Sequence, residues 1–143
     1  MRDADRSGRA RLRRCLGAMT AVVLVMTAGG AAGAQEVGFQ VARLVVAGGI
    51  DQREPVGVAE TFGAGQEAVY CFLEAREIVA HTEVVFVWYH GDREAAVIPV
   101  RLVAGPRWRT FTHKQVSGLR GNWKVYLQDG RGQVVGSVDF VVE

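Results

Sequence analysis

The chain has 143 residues, 49% of them hydrophobic, with 17 basic and 15 acidic side chains, a formal charge of +2 and two cysteines. The positive charge is not spread evenly: residues 1–34 hold six arginines and two aspartates, so residues 35–143 carry 11 basic against 13 acidic groups, a formal charge of −2. A nucleic-acid partner, which needs a basic face to neutralise phosphates, is therefore not expected.

Arg2, Arg6, Arg9, Arg11, Arg13 and Arg14 precede an apolar run from Leu16 to Ala28, which leads to Ala32-Gly33-Ala34. This order of basic, apolar and small residues predicts a secretory signal peptide over residues 1–34, cleaved after Ala34. The apolar run is well short of the about 20 residues that cross a hydrocarbon core, so cleavage is expected rather than anchoring. The expected location is periplasmic or extracellular, with membrane association only through the leader before its removal. Cys15 leaves with that leader. Cys71 is then the sole cysteine of residues 35–143, which precludes an intrachain disulfide and leaves packing to hold the core. Within Ala68-Val69-Tyr70-Cys71-Phe72-Leu73, Cys71 reads as a small buried apolar residue.

Residues 35–143 suit one compact domain. No segment shows a 3.6-residue apolar period; short apolar runs alternate with Gly, Asp, Pro and Asn. Strands are predicted over Gln40–Ala47, Val56–Ala59, Glu67–Glu74, Glu83–His90, Glu94–Val103, Arg107–Thr112, Asn122–Gln128 and Gln133–Val142. Seven to eight short strands predict an all-β fold, an immunoglobulin-like antiparallel β-sandwich lacking the usual cysteine pair.

Two hairpins can be placed in register. A two-residue turn at Gly91-Asp92 sets His90 opposite Arg93. It puts Val85 and Val87 in the core with Ala96, Ile98, Val100 and Leu102. Val84, Phe86, Trp88 and Arg101 then share a partly covered outer face. A turn at Asp129-Gly130-Arg131-Gly132, with Gln128 opposite Gln133, sends Trp123, Val125 and Leu127 inward and Lys124, Ser137 and Asp139 outward; Gly136 leaves room for a neighbour. Between these hairpins, strand alternation in Pro106-Arg107-Trp108-Arg109-Thr110-Phe111-Thr112-His113-Lys114 points Arg107, Arg109, Phe111 and His113 one way and Trp108, Thr110, Thr112 and Lys114 the other.

No catalytic constellation is visible. Ser117 and Ser137 lie outside any nucleophile elbow, His81, His90 and His113 have no metal-ligand spacing, and the Gly-rich segments lack phosphate-loop patterns. No metal, cofactor or catalytic residue is assigned. Among the glutamates no glycosidase pair is singled out.

The succession Gly49-Ile50-Asp51-Gln52-Arg53-Glu54-Pro55, Val69-Tyr70-Cys71-Phe72-Leu73-Glu74, Val87-Trp88-Tyr89-His90-Gly91, Arg107 to Lys114 and Gly121-Asn122-Trp123-Lys124-Val125 resembles the bacterial domain of unknown function 2914. That resemblance implies an exported or membrane-associated β-domain and no reaction. It also implies a histidine two positions before the tryptophan, where this chain has Phe86, and a Ser-Lys pair where it has His113-Lys114; Trp88, Arg109 and Lys114 match.

The residues point to a non-catalytic module that binds a protein, an envelope glycan or a lipid head group through Trp88, Arg101, Arg109, His113 and Lys114, since arginines beside aromatic rings hold acidic groups by paired hydrogen bonds and stacking. The alternatives are a charged edge strand with its tryptophan in the core, a small envelope-directed hydrolase using carboxylates or histidines, and a structural scaffold.

Overall fold

The computed structural model describes residues 38–143; the leader expected over residues 1–34 lies outside them. Nine strands follow one another: β1 (Gln40–Asp51), β2 (Glu54–Val58), β3 (Thr61–Phe62), β4 (Ala68–Ile78), β5 (Thr82–His90), β6 (Arg93–Leu102), β7 (Gly105–Gln115), β8 (Gly121–Gln128) and β9 (Val134–Val142). They form a four-stranded sheet in the order β2-β1-β4-β7 and a five-stranded sheet in the order β3-β9-β8-β5-β6. This is the expected all-β sandwich, and its strand order is immunoglobulin-like: the first long strand pairs with β4, which pairs in turn with β7 on one sheet, while two hairpins make up most of the other.

All eight expected strands are present. The ninth, β3, is two residues long and pairs in parallel with β9, so the sheets are not wholly antiparallel. A strand that short has no alternation to read. What secures it is Phe62, buried with its ring edge-on to Phe140 at 5.7 Å.

The inner faces meet over an aromatic centre. Phe140 stacks on Trp123 with centroids 5.7 Å apart and takes Trp88 edge-on at 6.1 Å. Trp123 is buried as expected, and its Nε1 donates to the Leu119 carbonyl at 3.0 Å. Cys71 is also fully buried, and burial pushes its thiol up to about 12.

The first hairpin corrects one expectation. Its turn is as read, with His90 opposite Arg93 and Tyr89 opposite Glu94, but Trp88 then faces Ala96. Ala95 is an extra residue, a β-bulge, and one extra residue reverses the parity of everything beyond it. Ala96, Ile98, Val100 and Leu102 do face the core, yet the first three pair with Trp88, Phe86 and Val84, all fully buried, and Leu102 with Thr82, rather than sharing a face with Val85 and Val87. Trp88 is thus a core residue.

In the second hairpin the pairing is Leu127 with Gly136, Val125 with Val138 and Trp123 with Phe140, two residues away from the expected register. Two steps make the change: Val135 is an extra residue, a bulge between the Leu127 and Gln128 pairs, and Asp129 shifts the turn by one more. The Asp129 Oδ1 accepts from the backbone of Arg131 at 2.9 Å and of Gln133 at 3.0 Å, winding the turn so that Gln128 meets Val134. An even displacement keeps every side chain on its expected face. Gly136 does admit a neighbour: a Cβ there would lie 3.0 Å from Leu44 Cδ2 of the opposite sheet. Gly136→Val is therefore expected to overpack the core and cost about 1–3 kcal/mol in denaturant unfolding, whereas Leu44→Ala combined with it should recover part of the loss.

Candidate functional site

The outer face of the four-stranded sheet carries a lattice of charge. On β4, Phe72 and Glu74 point outward yet are almost fully covered. Glu74 accepts from Arg107 Nη2 of β7 at 3.0 Å, from Arg76 Nε of its own strand at 3.0 Å and from Arg43 Nη2 of β1 at 3.1 Å. The Arg43 guanidinium also lies 4.8 Å above the Phe72 ring. Cross-strand registry explains the convergence, since Glu74 sits directly between Arg43 and Arg109, and Arg76 directly opposite Arg107.

A second carboxylate enters from above. The turn between β1 and β2 occupies Gln52-Arg53, and β2 pairs only with Ala47–Asp51, yet Glu54 bonds Arg43 at 2.8 Å, forms a close ion pair with Arg109 and lies 3.8 Å from Arg107. The hairpin therefore folds back across the sheet, pinned by Glu54 over β4. Both carboxylates are held ionised. Arg107, then Arg76 and Arg43, draw Glu74 down to about 2 against the opposing effect of burial, and Arg43 and Arg109 lower Glu54. A glycosidase-like pair needs one carboxyl that keeps its proton near neutrality. Glu54 and Glu74 have been brought together in a setting that removes it.

The expected site residues separate into three places. Arg101 on β6 and Arg109 on β7 line one cleft at the rim of the sandwich, together with Arg53, Phe72, Trp108 and Phe111. His113 lies on the same outer face, its ring 5.4 Å from that of Tyr70, with the exposed Phe111 6.0 Å from Tyr70 on the other side. Lys114 has the opposite parity and is half-buried, as alternation predicts for β7. Trp88 belongs to neither surface: it is 0% exposed, and its Nε1 donates to Thr112 Oγ1 of the facing sheet at 3.3 Å. It can touch no ligand without unfolding the core.

The strand Gly105–Gln115 is both things the sequence left open. It is the edge of its sheet, with charged side chains that discourage further pairing, and its outward face carries the arginines.

Sequence reasoning missed Arg43, Arg53, Glu54, Glu74, Arg76 and Arg107 as one group, because they come from four strands and a turn. The one local signal was Glu74 itself, a charged residue within an otherwise apolar run. It also missed the outer face of the other sheet, where Tyr89 and Tyr126 pack edge to face at 5.6 Å and Lys124 lies 5.5 Å over Tyr126 while bonding Asp139 at 3.3 Å. The three histidines share nothing. His81 Nδ1 accepts from the Ala104 backbone at 3.0 Å, while His90 stacks on Trp123 at 4.5 Å with its Nε2 2.7 Å from the Arg120 carbonyl. Among the described residues no group of three or more His, Cys, Asp or Glu side chains could hold a metal ion.

With strands β5 to β9 and their registers in view, what the C-terminal part is similar to can be stated. Residues 81–142 match the family model of DUF2914, a protein of unknown function. The matched segment contains Trp88, Arg101, Arg109, His113 and Lys114, whereas Arg43, Arg53, Glu54 and Glu74 precede it. The search of curated proteins returned no match. Among solved structures, a mutant β-glucosidase from Listeria innocua in complex with laminaribiose is similar at 11% identity and a TM-score of 0.46, with 73% of this chain and 16% of that chain covered. This chain thus spans about a sixth of that enzyme's length.

Proposed function

We propose that this chain is a non-catalytic binding module of the periplasm or cell exterior, and that it holds a protein or envelope polymer bearing acidic groups. Its ligand surface is the arginine-bearing outer face of the four-stranded sheet with the adjoining rim. One observation carries this reading: Arg43, Arg53, Arg76, Arg107 and Arg109 stand there against Glu54 and Glu74, with Arg101 at the rim and Glu77 bonded to Gln40 at the margin. A surface that is net positive on a part of the chain that is net negative is an oriented attraction for anions.

Arg53 and Arg101 have no ion-pair partner among the described residues. Replacing them leaves no carboxylate stranded, so the variants report on binding rather than folding. The purified chain should bind immobilised acidic envelope glycans, and Arg53→Gln with Arg101→Gln should weaken capture at least about tenfold, the loss of roughly 1.4 kcal/mol. Salt should weaken capture of the unaltered chain in the same assay. Equal capture by the double variant at low salt sinks this surface as the ligand site.

A further inference from the structure

Within that face the spare positive charge is not uniform. Arg43, Arg76, Arg107 and Arg109 are each engaged by Glu54 or Glu74, while Arg53 and Arg101 are unpaired and line the same cleft as Arg109. The cleft gathers side chains from four elements: the β1–β2 turn above, β4 beneath, β6 from the opposite sheet, and the β7 edge. Beside its arginines stand three aromatic rings, Phe72 buried, Trp108 half-buried and Phe111 exposed.

The turn that supplies Arg53 has unusual chemistry for its shape. Asp51 pairs with Glu54, so Gln52-Arg53 is a two-residue loop, and both residues have positive φ, 47° and 62°. Such a loop favours Asn-Gly or Gly-Gly, which adopt the left-handed region without a Cβ penalty. A long side chain where glycine fits better is a local cost that use of the side chain would offset. Glu54, the next residue, is clamped by Arg43 and Arg109 and so fixes where Arg53 reaches.

We propose that this cleft is a phosphate-binding site, in which Arg53, Arg101 and Arg109 grip a phosphoryl group from three directions. A carboxylate is planar and is satisfied by one guanidinium fork. A tetrahedral dianion presents several oxygens at once and gains from forks on different sides. The inference rests on reading the arginine-bearing face as the ligand surface, and narrows its ligand to a phosphoryl-bearing one. The aromatic rings beside the guanidinium groups can hold them in place by stacking.

The test uses the full chain and inorganic phosphate at constant ionic strength, following the arginine Nε–Hε resonances, with acetate as the comparison ion. Phosphate is expected to give saturable shifts at Arg53, Arg101 and Arg109, with Arg76 unmoved, and to bind at least about tenfold more tightly than acetate. Arg53→Gln and Arg101→Gln should each weaken phosphate binding severalfold. Arg53→Gly should raise the unfolding temperature, because the turn relaxes, while weakening phosphate to the same extent as Arg53→Gln. Equal affinity for acetate, shifts spread over all the arginines, or undiminished binding by Arg53→Gly would overturn the assignment. If glycan capture still depends on Arg53 and Arg101 in that event, the broader reading stands and only the phosphate ligand falls; if capture is also independent of them, both fall.

Discussion

Trp88→Ala is expected to destabilise the domain by about 3–5 kcal/mol, a large share of the stability of a single small core. Trp88 is fully buried, packs edge-on against Phe140, and ties the two sheets through Thr112. Truncation leaves a cavity in the aromatic centre and an unpartnered Thr112 hydroxyl. Urea unfolding followed by circular dichroism measures the loss, and Trp88→Phe should recover most of it. At a temperature where Trp88→Ala remains folded, its capture of acidic ligand should equal that of the unaltered chain. A variant of native stability that had lost binding would return Trp88 to the surface, against its place in the core.

Glu74→Gln tests the lattice. The substitution keeps the shape but removes the charge facing Arg43, Arg76 and Arg107, leaving Glu54 as the one carboxylate among four arginines. The buried position of Glu74 argues for a large loss. Its partners reach solvent and are partly screened, which reduces the expected cost to about 2 kcal/mol at pH 7. The pH dependence is more diagnostic. Because the folded chain holds Glu74 at about 2, below its ordinary value of 4.5, the stabilisation is complete above about pH 5 and is lost as pH falls toward 2. Glu54 is lowered too and acts in the same sense. The gap between Glu74→Gln and the unaltered chain should therefore shrink to less than half between pH 7 and pH 3. A gap that stays constant over that range would mean that Glu74 acts through packing, not charge.

These two residues show how differently core and site are written in the chain. Trp88 is recognisable as a strand residue, but its face depends on one bulge at Ala95, and nothing in Arg93-Glu94-Ala95-Ala96 marks which alanine is the extra one. Trp123 escaped that ambiguity because its register error was even. Glu74 lies between apolar neighbours on a strand covered on both faces, where a carboxylate is tolerated only if cations come to it. Those cations lie on strands before and after it, and local spacing carries no trace of them.

Alternation of apolar and polar residues, together with turn residues at Gly91-Asp92 and Asp129-Gly130, was enough to determine the all-β class, eight of the nine strands and the inward turn of Trp123. Such features depend on neighbours within a few residues, which is the range over which backbone geometry and turn chemistry act. Only the tertiary structure decided the burial of Trp88, the parallel pairing of β3, and the meeting of Arg53, Arg101 and Arg109 around one cleft. Each of these depends on strand order, on a bulge or on a hairpin folding back over a sheet. Such long-range packing choices are made by the whole core, and no short segment records them.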